Sequence, residues 1–201
     1  MVDFSKPHDK IAISGKARAG KNTVAEMIVE FSKFKNSKEK IVALADPMKR
    51  IVQMMFPEAM EECLFGPSEL RAAPISEKFK DKNGNVLTHR QALIDLGAFG
   101  RQYNSTIWLN CLVEDCNRSK DIDTYIVSDV RFINEFRYLK AANFITIRVL
   151  RDDSTKIDDI SEIEQDSIQD SEFNYVIHNN GTLDDLKKEV LYLVRKMQGL
   201  M

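Results

Sequence analysis

An α/β fold built on a parallel sheet is predicted by three features of the chain. Short apolar runs of strand length alternate with stretches of helical period, the pattern of strands joined by right-handed helical crossovers with helices on both faces. One run, Ile11-Ala12-Ile13-Ser14, passes through Gly15 and Gly20 into a helical pattern that begins at Val24. The 201 residues, 43% hydrophobic and 30% charged, suffice for one domain with a full core.

The first element to justify is the glycine loop. Gly15 and Gly20 permit backbone angles that a Cβ resists, so successive N–H groups can turn inward around a phosphate. The helix that follows adds its free N-terminal N–H groups and the positive end of its dipole. Lys21 is placed to reach the phosphates, and a hydroxyl just beyond it can ligate Mg²⁺. Asn22 follows the lysine here, so the hydroxyl falls on Thr23. This Gly-Lys-x-Thr form resembles the loop of nucleoside monophosphate kinases such as adenylate kinase. Gly15, Lys16, Ala19, Gly20, Lys21, Asn22, Thr23 and Val24 form the candidate phosphate-binding run; the bland alternative is a Gly/Lys-rich surface turn.

After Val24, the residues Met27, Ile28, Phe31 and Phe34 continue a helix of about three turns. Ile41 to Leu44 is an almost wholly apolar run, expected as a buried parallel strand. Asp46-Pro47 reads as N-cap and first helical residue, with Met48, Ile51, Val52 and Met55 on one face until Pro57. From Pro57 to Leu87 the turn signals multiply, ending in Asp81-Lys82-Asn83-Gly84-Asn85, so residues 57–87 read as an insertion over the sheet. Thr88 to Tyr103 carries a helical stripe expected to break or bend around Gly97 and Gly100. A helix from about Thr106 to Asn117 holds Trp108; Asp123 to Asp129 is the third strand, Phe132 to Leu139 a helix, and Phe144 to Leu150 the fourth strand.

Residues 152–172 carry nine carboxylates against Lys156 alone, which suggests a mobile lid or solvated loop. Asn174 to His178 is a fifth strand, Asn179-Asn180-Gly181 a turn, and Thr182 the cap of a last helix.

Net charge and cysteines narrow the function classes. A formal charge of −2 argues against a basic nucleic-acid-binding surface, so any polyphosphate site must be local. Cys63, Cys111 and Cys116 match no common metal spacing and read as reduced structural thiols. Met1 to Asp9 is polar and no apolar run reaches transmembrane length, so no membrane association and a cytosolic location are expected. His8, His89 and His178 sit in no ligand-like constellation.

Several blocks, in order along the chain, are similar to those of phage-type deoxynucleoside monophosphate kinases. They are the glycine loop, Ala45 to Lys49, Phe65 to Pro74, Thr88 to Gly97, Ile126 to Glu135, Ser161 to Asp166 and Asn180 to Leu183. The resemblance implies a single three-layer P-loop kinase domain whose five-stranded parallel sheet has the order 2-3-1-4-5. It implies transfer of the γ-phosphoryl of ATP to the 5′-phosphate of a deoxynucleotide with Mg²⁺. Partners would be small nucleotides, with a homodimer allowed, and a phage-encoded protein would work in the host cytoplasm. In the acidic segment the family often has His two residues before Ser-Glu, where this chain has Asp159.

Such a reaction brings two polyanions together, so cations should converge from several segments. Lys49, Arg71, Arg90 and Arg131 are candidates for the acceptor side, each alternatively a surface or ion-pair residue. Arg131 follows Asp129 at the presumed strand end and can reach the acceptor phosphate or the phosphoryl in flight. Asp129 either holds Mg²⁺ together with Thr23 or caps the next helix; no general base is needed, because the attacking oxygen is already ionised. Trp108 contacts the nucleotide or belongs to the core, and Glu135 orients Arg131, meets substrate or lies on an exposed face. Gly97 admits substrate to the backbone or ends a helix, and Arg151 reaches ATP from the lid or neutralises the acidic loop. Other readings are a P-loop kinase of another phosphorylated small molecule, such as phosphomevalonate or dephospho-coenzyme A, and a nucleotide-hydrolysing switch.

Overall fold

A computed structural model describes residues 9–32, 37–118, 121–152 and 160–199. The chain packs as two compact units, one from the described residues of Met1–Ala43 with Val113–Met201 and the other from Leu44–Leu112. The expected insertion, residues 57–87, lies within the second unit.

The first unit is built on five parallel strands: β1 (Asp9–Ser14), β2 (Glu39–Val42), β3 (Thr124–Val130), β4 (Ile145–Leu150) and β5 (Tyr175–His178). Their order is β2-β3-β1-β4-β5, as the resemblance implied. Alternation along the strands sorts side chains to two faces. Ile11, Ile13, Ile126, Ile147, Val149 and Ile177 face a core completed by α1 (Lys21–Ser32) and α8 (Leu183–Met197). The opposite face carries α6 (Ile133–Ala141), whose Phe136 ring lies 4.5 Å from that of Phe173. Burying both faces explains why the central strands read as continuous apolar runs. β2 departs from its expected span: it ends at Val42, and Ile41 is exposed because the strand is an edge.

The acidic stretch divides. Residues 153–159, with Asp159, lie outside the described residues, as do the N-terminal residues 1–8 and Phe34. Residues 160–172, read from charge as a mobile lid or solvated loop, are not a loop throughout: they form α7 (Ile160–Asp166) and a short 3-10 turn at Asp170–Glu172. The anchor is Arg148, buried on β4. Its guanidinium donates to the carbonyls of Ile168 and Gln165 and pairs with Asp170 at 2.9 Å. A charged side chain is tolerated there because both terminal nitrogens of the guanidinium meet acceptors.

In the second unit, α2 (Asp46–Met55) begins one residue earlier than expected, with Asp46 inside the helix and its carboxylate on Lys49. The short α3 (Glu61–Phe65) and a 3-10 turn at Ser68–Ala72 follow. Gly84, at φ +83°, closes the predicted Asp81 turn by donating its N–H to the Asp81 carbonyl. α4 (His89–Tyr103) is capped by Thr88, which accepts from the Gln91 N–H. It runs through Gly97 and Gly100 without the break that was one of the two expectations there. The glycines make room instead of ending the helix: a Cβ on Gly100 would stand 2.4 Å from Trp108 Cζ2. Trp108 opens α5 (Ile107–Arg118). His89 is wholly buried; its Nδ1 lies 2.8 Å from the Ala73 carbonyl and its Nε2 accepts from the Met60 N–H. Two bonds of opposite sense fix the neutral Nδ1–H tautomer.

Candidate active site

Ser14 ends β1, and the chain then turns through Gly15 at φ +153° and Gly20 at φ +99°. Gly15 is required for a second reason: a Cβ there would lie 2.4 Å from the Val149 carbonyl oxygen of β4. Within the loop, the Ala19 N–H donates to Lys16 O and the Val24 N–H to Gly20 O, which starts α1. Arg18 takes φ +60° without being glycine, a costly angle held by the loop around it. Lys21 folds back across the loop, its ammonium donating to Gly15 O at 2.7 Å and Lys16 O at 2.8 Å.

A cavity of about 620 Å³ opens beside this loop. Gly20 lines it from the loop, Lys21, Asn22 and Thr23 from α1, Ser128 and Asp129 from β3, and Arg131 and Arg151 from just beyond β3 and β4. It therefore sits at the carboxyl ends of the strands, where open parallel sheets hold ligands. Its lining sets Arg18, Lys21, Arg131 and Arg151 against Asp129, a positive field in a protein of net charge −2. Seven of the predicted site residues thus converge on one space: Gly20, Lys21, Asn22, Thr23, Asp129, Arg131 and Arg151.

The other loop candidates play supporting parts. Ala19 and Val24 are buried, Val24 in the core beneath the loop, and Lys16 pairs with Asp166 at 2.8 Å. Glu135 is half-buried, and its Oε2 accepts from the backbone N–H groups of Arg131 (2.9 Å) and Phe132 (3.0 Å). It therefore caps α6, a part for which Asp129 had been a candidate. Burial pushes the Glu135 carboxyl above its usual range, partly offset by those two N–H donors. Thr23 and Asp129 supply hard oxygen donors on the same cavity, which suits Mg²⁺: it takes few protein ligands and completes its shell with water and phosphate.

Lys49, Arg71, Arg90, Gly97 and Trp108 belong to the second unit. Lys49 is buried, with its ammonium 2.7 Å from Asp46 and 5.2 Å from the centre of the Phe65 ring. Arg90 donates to Ser68 O at 2.8 Å, while the buried Nε of Arg71 has no hydrogen-bond partner. Trp108 is buried, and its indole N–H donates to Gly97 O at 3.1 Å.

Seven residues of the cavity escaped the sequence reading as ligands, among them Arg18, Ser128 and Asn179. Asn179 also braces the loop, donating from Nδ2 to Ala19 O at 2.9 Å. Its place just after the fifth strand was the available signal, since strand ends line such clefts. Among the described residues no group of three or more His, Cys, Asp or Glu is arranged to hold a metal, and no helix is long and apolar enough to cross a membrane.

The sequence model described as deoxynucleotide monophosphate kinase matches residues 75–190, more than half of the chain. Among curated proteins no significant sequence match is found. Among solved structures, a mutant of the Mycobacterium tuberculosis APS kinase CysC is similar at 10% identity and a TM-score of 0.43, over 94% of this chain and 98% of that one.

Proposed function

The chain belongs to the deoxynucleotide monophosphate kinase family, and we propose that it transfers the γ-phosphoryl group of ATP to the 5′-phosphate of a deoxynucleoside monophosphate. The products are ADP and the deoxynucleoside diphosphate. The observation that carries this reading is the convergence of Lys21, Arg131 and Arg151 with Thr23 and Asp129 on one cavity beside the glycine loop.

Phosphoryl transfer asks little covalent chemistry of a protein: it needs two anions held in line and the charge on the moving group balanced. An oxygen of the acceptor phosphate forms a bond to the γ-phosphorus while the bond from that phosphorus to the β,γ-bridging oxygen breaks, leaving its electrons on ADP. The turned backbone from Gly15 to Gly20 and the start of α1 receive the donor phosphates. Lys21 can exchange its two carbonyl partners for phosphate oxygens, and Arg131 balances the charge of the transferring group. Bound Mg²⁺, held by Thr23 and Asp129, would neutralise the phosphate charge further.

Lys49, Arg71, Arg90 and Gly97 are the proposed acceptor-side residues, and Arg71 has a buried donor to offer. Trp108 contributes by shaping this unit from within, its N–H being given to Gly97.

ADP formation from Mg·ATP, followed with each deoxynucleotide, each ribonucleotide and no acceptor, tests the reading. Acceptor-dependent ADP with matching diphosphate is expected. ADP formed equally without acceptor would replace the kinase by an ATPase.

A further inference from the structure

Arg131 lies between the end of β3 and the start of α6, where neither element supplies its backbone with partners. Both of its main-chain groups are instead held by side chains. Its N–H donates to Glu135 at 2.9 Å, and its carbonyl accepts from Gln165 Nε2 at 3.1 Å. The same Gln165 nitrogen donates to Val130 O at 3.2 Å, and Glu164 accepts from the Ile133 N–H at 3.1 Å. Gln165 is 3% exposed, and its own carbonyl takes the Arg148 guanidinium at 2.9 Å. Facing two carbonyl oxygens, only the NH₂ end of the amide fits this position.

We infer that Gln165 is a positioning residue: by holding the carbonyls of Val130 and Arg131, it fixes the strand end from which the Arg131 guanidinium enters the phosphate cavity. The inference rests on the kinase reading above. The backbone of an exposed segment between two elements is ordinarily free to shift, and a displacement of about 1 Å at a charged group that balances a moving phosphoryl costs roughly 10²-fold in rate. α7, which carries Gln165, also reaches the glycine loop through Asp166 and Lys16. One helix thus touches both the segment that holds Arg131 and the loop that receives the donor phosphates.

A double-mutant cycle of Gln165→Met with Arg131→Ala tests the assignment. Methionine keeps the length and removes the donor. In the Arg131 background of the natural protein, Gln165→Met should lower kcat about 10²-fold with little change in the KM for Mg·ATP. In the Arg131→Ala background it should lower kcat no further, because there is no guanidinium left to position. Calorimetric affinity for a bisubstrate compound, adenosine joined to a deoxynucleoside by a pentaphosphate bridge, should follow the same pattern without turnover. If Gln165→Met does not fold, Gln165→Glu replaces it; the protonated acid restores one donor, so its kcat should recover as pH falls. Equal losses in both backgrounds, or a natural kcat in the single variant, would overturn the inference and leave the kinase intact. A natural protein that neither transfers to any deoxynucleotide nor binds the bisubstrate compound overturns the kinase reading and this inference with it.

Discussion

The two units hold their cations by different means. Beside the glycine loop, Lys21 rests on the main-chain carbonyls of Gly15 and Lys16, and Arg131 extends from a backbone segment held on both sides by the Glu135 and Gln165 side chains. In the unit Leu44–Leu112, Lys49 is placed by side chains, between Asp46 and the Phe65 ring. Regular strands and a turned loop fix positions locally, whereas the second unit, with its short helices, depends on a few buried polar and aromatic anchors. The placement of Lys21 survives loss of a neighbouring side chain, and that of Lys49 does not. Substitution of the cavity cations of the first unit should therefore damage chemistry, and substitution of the buried anchors of the second should damage stability.

The largest expected effect is on the chemistry of the first unit. Lys21→Ala should lower acceptor-dependent turnover by about 10³-fold, and Arg131→Ala by a similar order, with unchanged far-UV dichroism and melting. Steady-state kinetics with Mg·ATP and the preferred acceptor would check this, and near-natural turnover in either variant would mean that the cavity is misassigned. Next comes His89→Ala in the second unit. It should cost about 2–4 kcal/mol, since it opens a cavity and leaves the Ala73 carbonyl and the Met60 N–H unpaired. Native-state hydrogen exchange should show the loss within residues 44–112 and leave β1, β3 and β4 protected; a uniform loss would erase the contrast between the units.

A smaller effect is expected at Glu135. Glu135→Ala strands two backbone N–H groups and should cost about 1–3 kcal/mol. Burial raises the folded-state value of this carboxyl, so its contribution to stability is complete below the ordinary carboxylate range and is lost as pH rises through the folded value. Glu135→Gln keeps an oxygen for the two N–H groups and should flatten that dependence in urea melts taken across the mildly acidic range. The smallest effect belongs to Thr182→Ala. Thr182 Oγ1 accepts from the Asp185 N–H and donates to Asp185 Oδ2 at 2.6 Å, a bond that holds the aspartate below its usual range. Loss of this cap should cost about 1 kcal/mol and leave turnover unchanged.

Much of the first unit was legible because its signals are local. The glycines, the apolar runs and the Thr182 cap act within a few residues of themselves, so their consequences can be read in order. The cavity-facing residues were legible for the same reason: Lys21 and Thr23 open the helix after the glycine loop, and Asp129 and Arg131 stand at or just after the end of a strand. Legibility failed where a partner distant in sequence overrode local preference. Gly97 and Gly100 suggest a break, since glycine inside a helix costs about 1 kcal/mol. Trp108 fills the room at Gly100, Met48 lies against Gly97, and the helix continues. Residues 160–172 look like a mobile lid or solvated loop by charge, yet Arg148 donates to two of their carbonyls and pairs with Asp170.

Period and turn chemistry alone settle the α/β class, the turned glycine loop and the end of the sheet at which the cavity opens. The reason is that backbone sterics and burial of apolar faces act on neighbouring residues. Packing decides which charges become structural and which remain available. Arg148 is consumed by β4 and the turn beyond α7, while Arg131 and Arg151, similar in sequence, line the cavity. That distinction rests on desolvation and on the supply of acceptors, which depend on chain segments brought together only by folding.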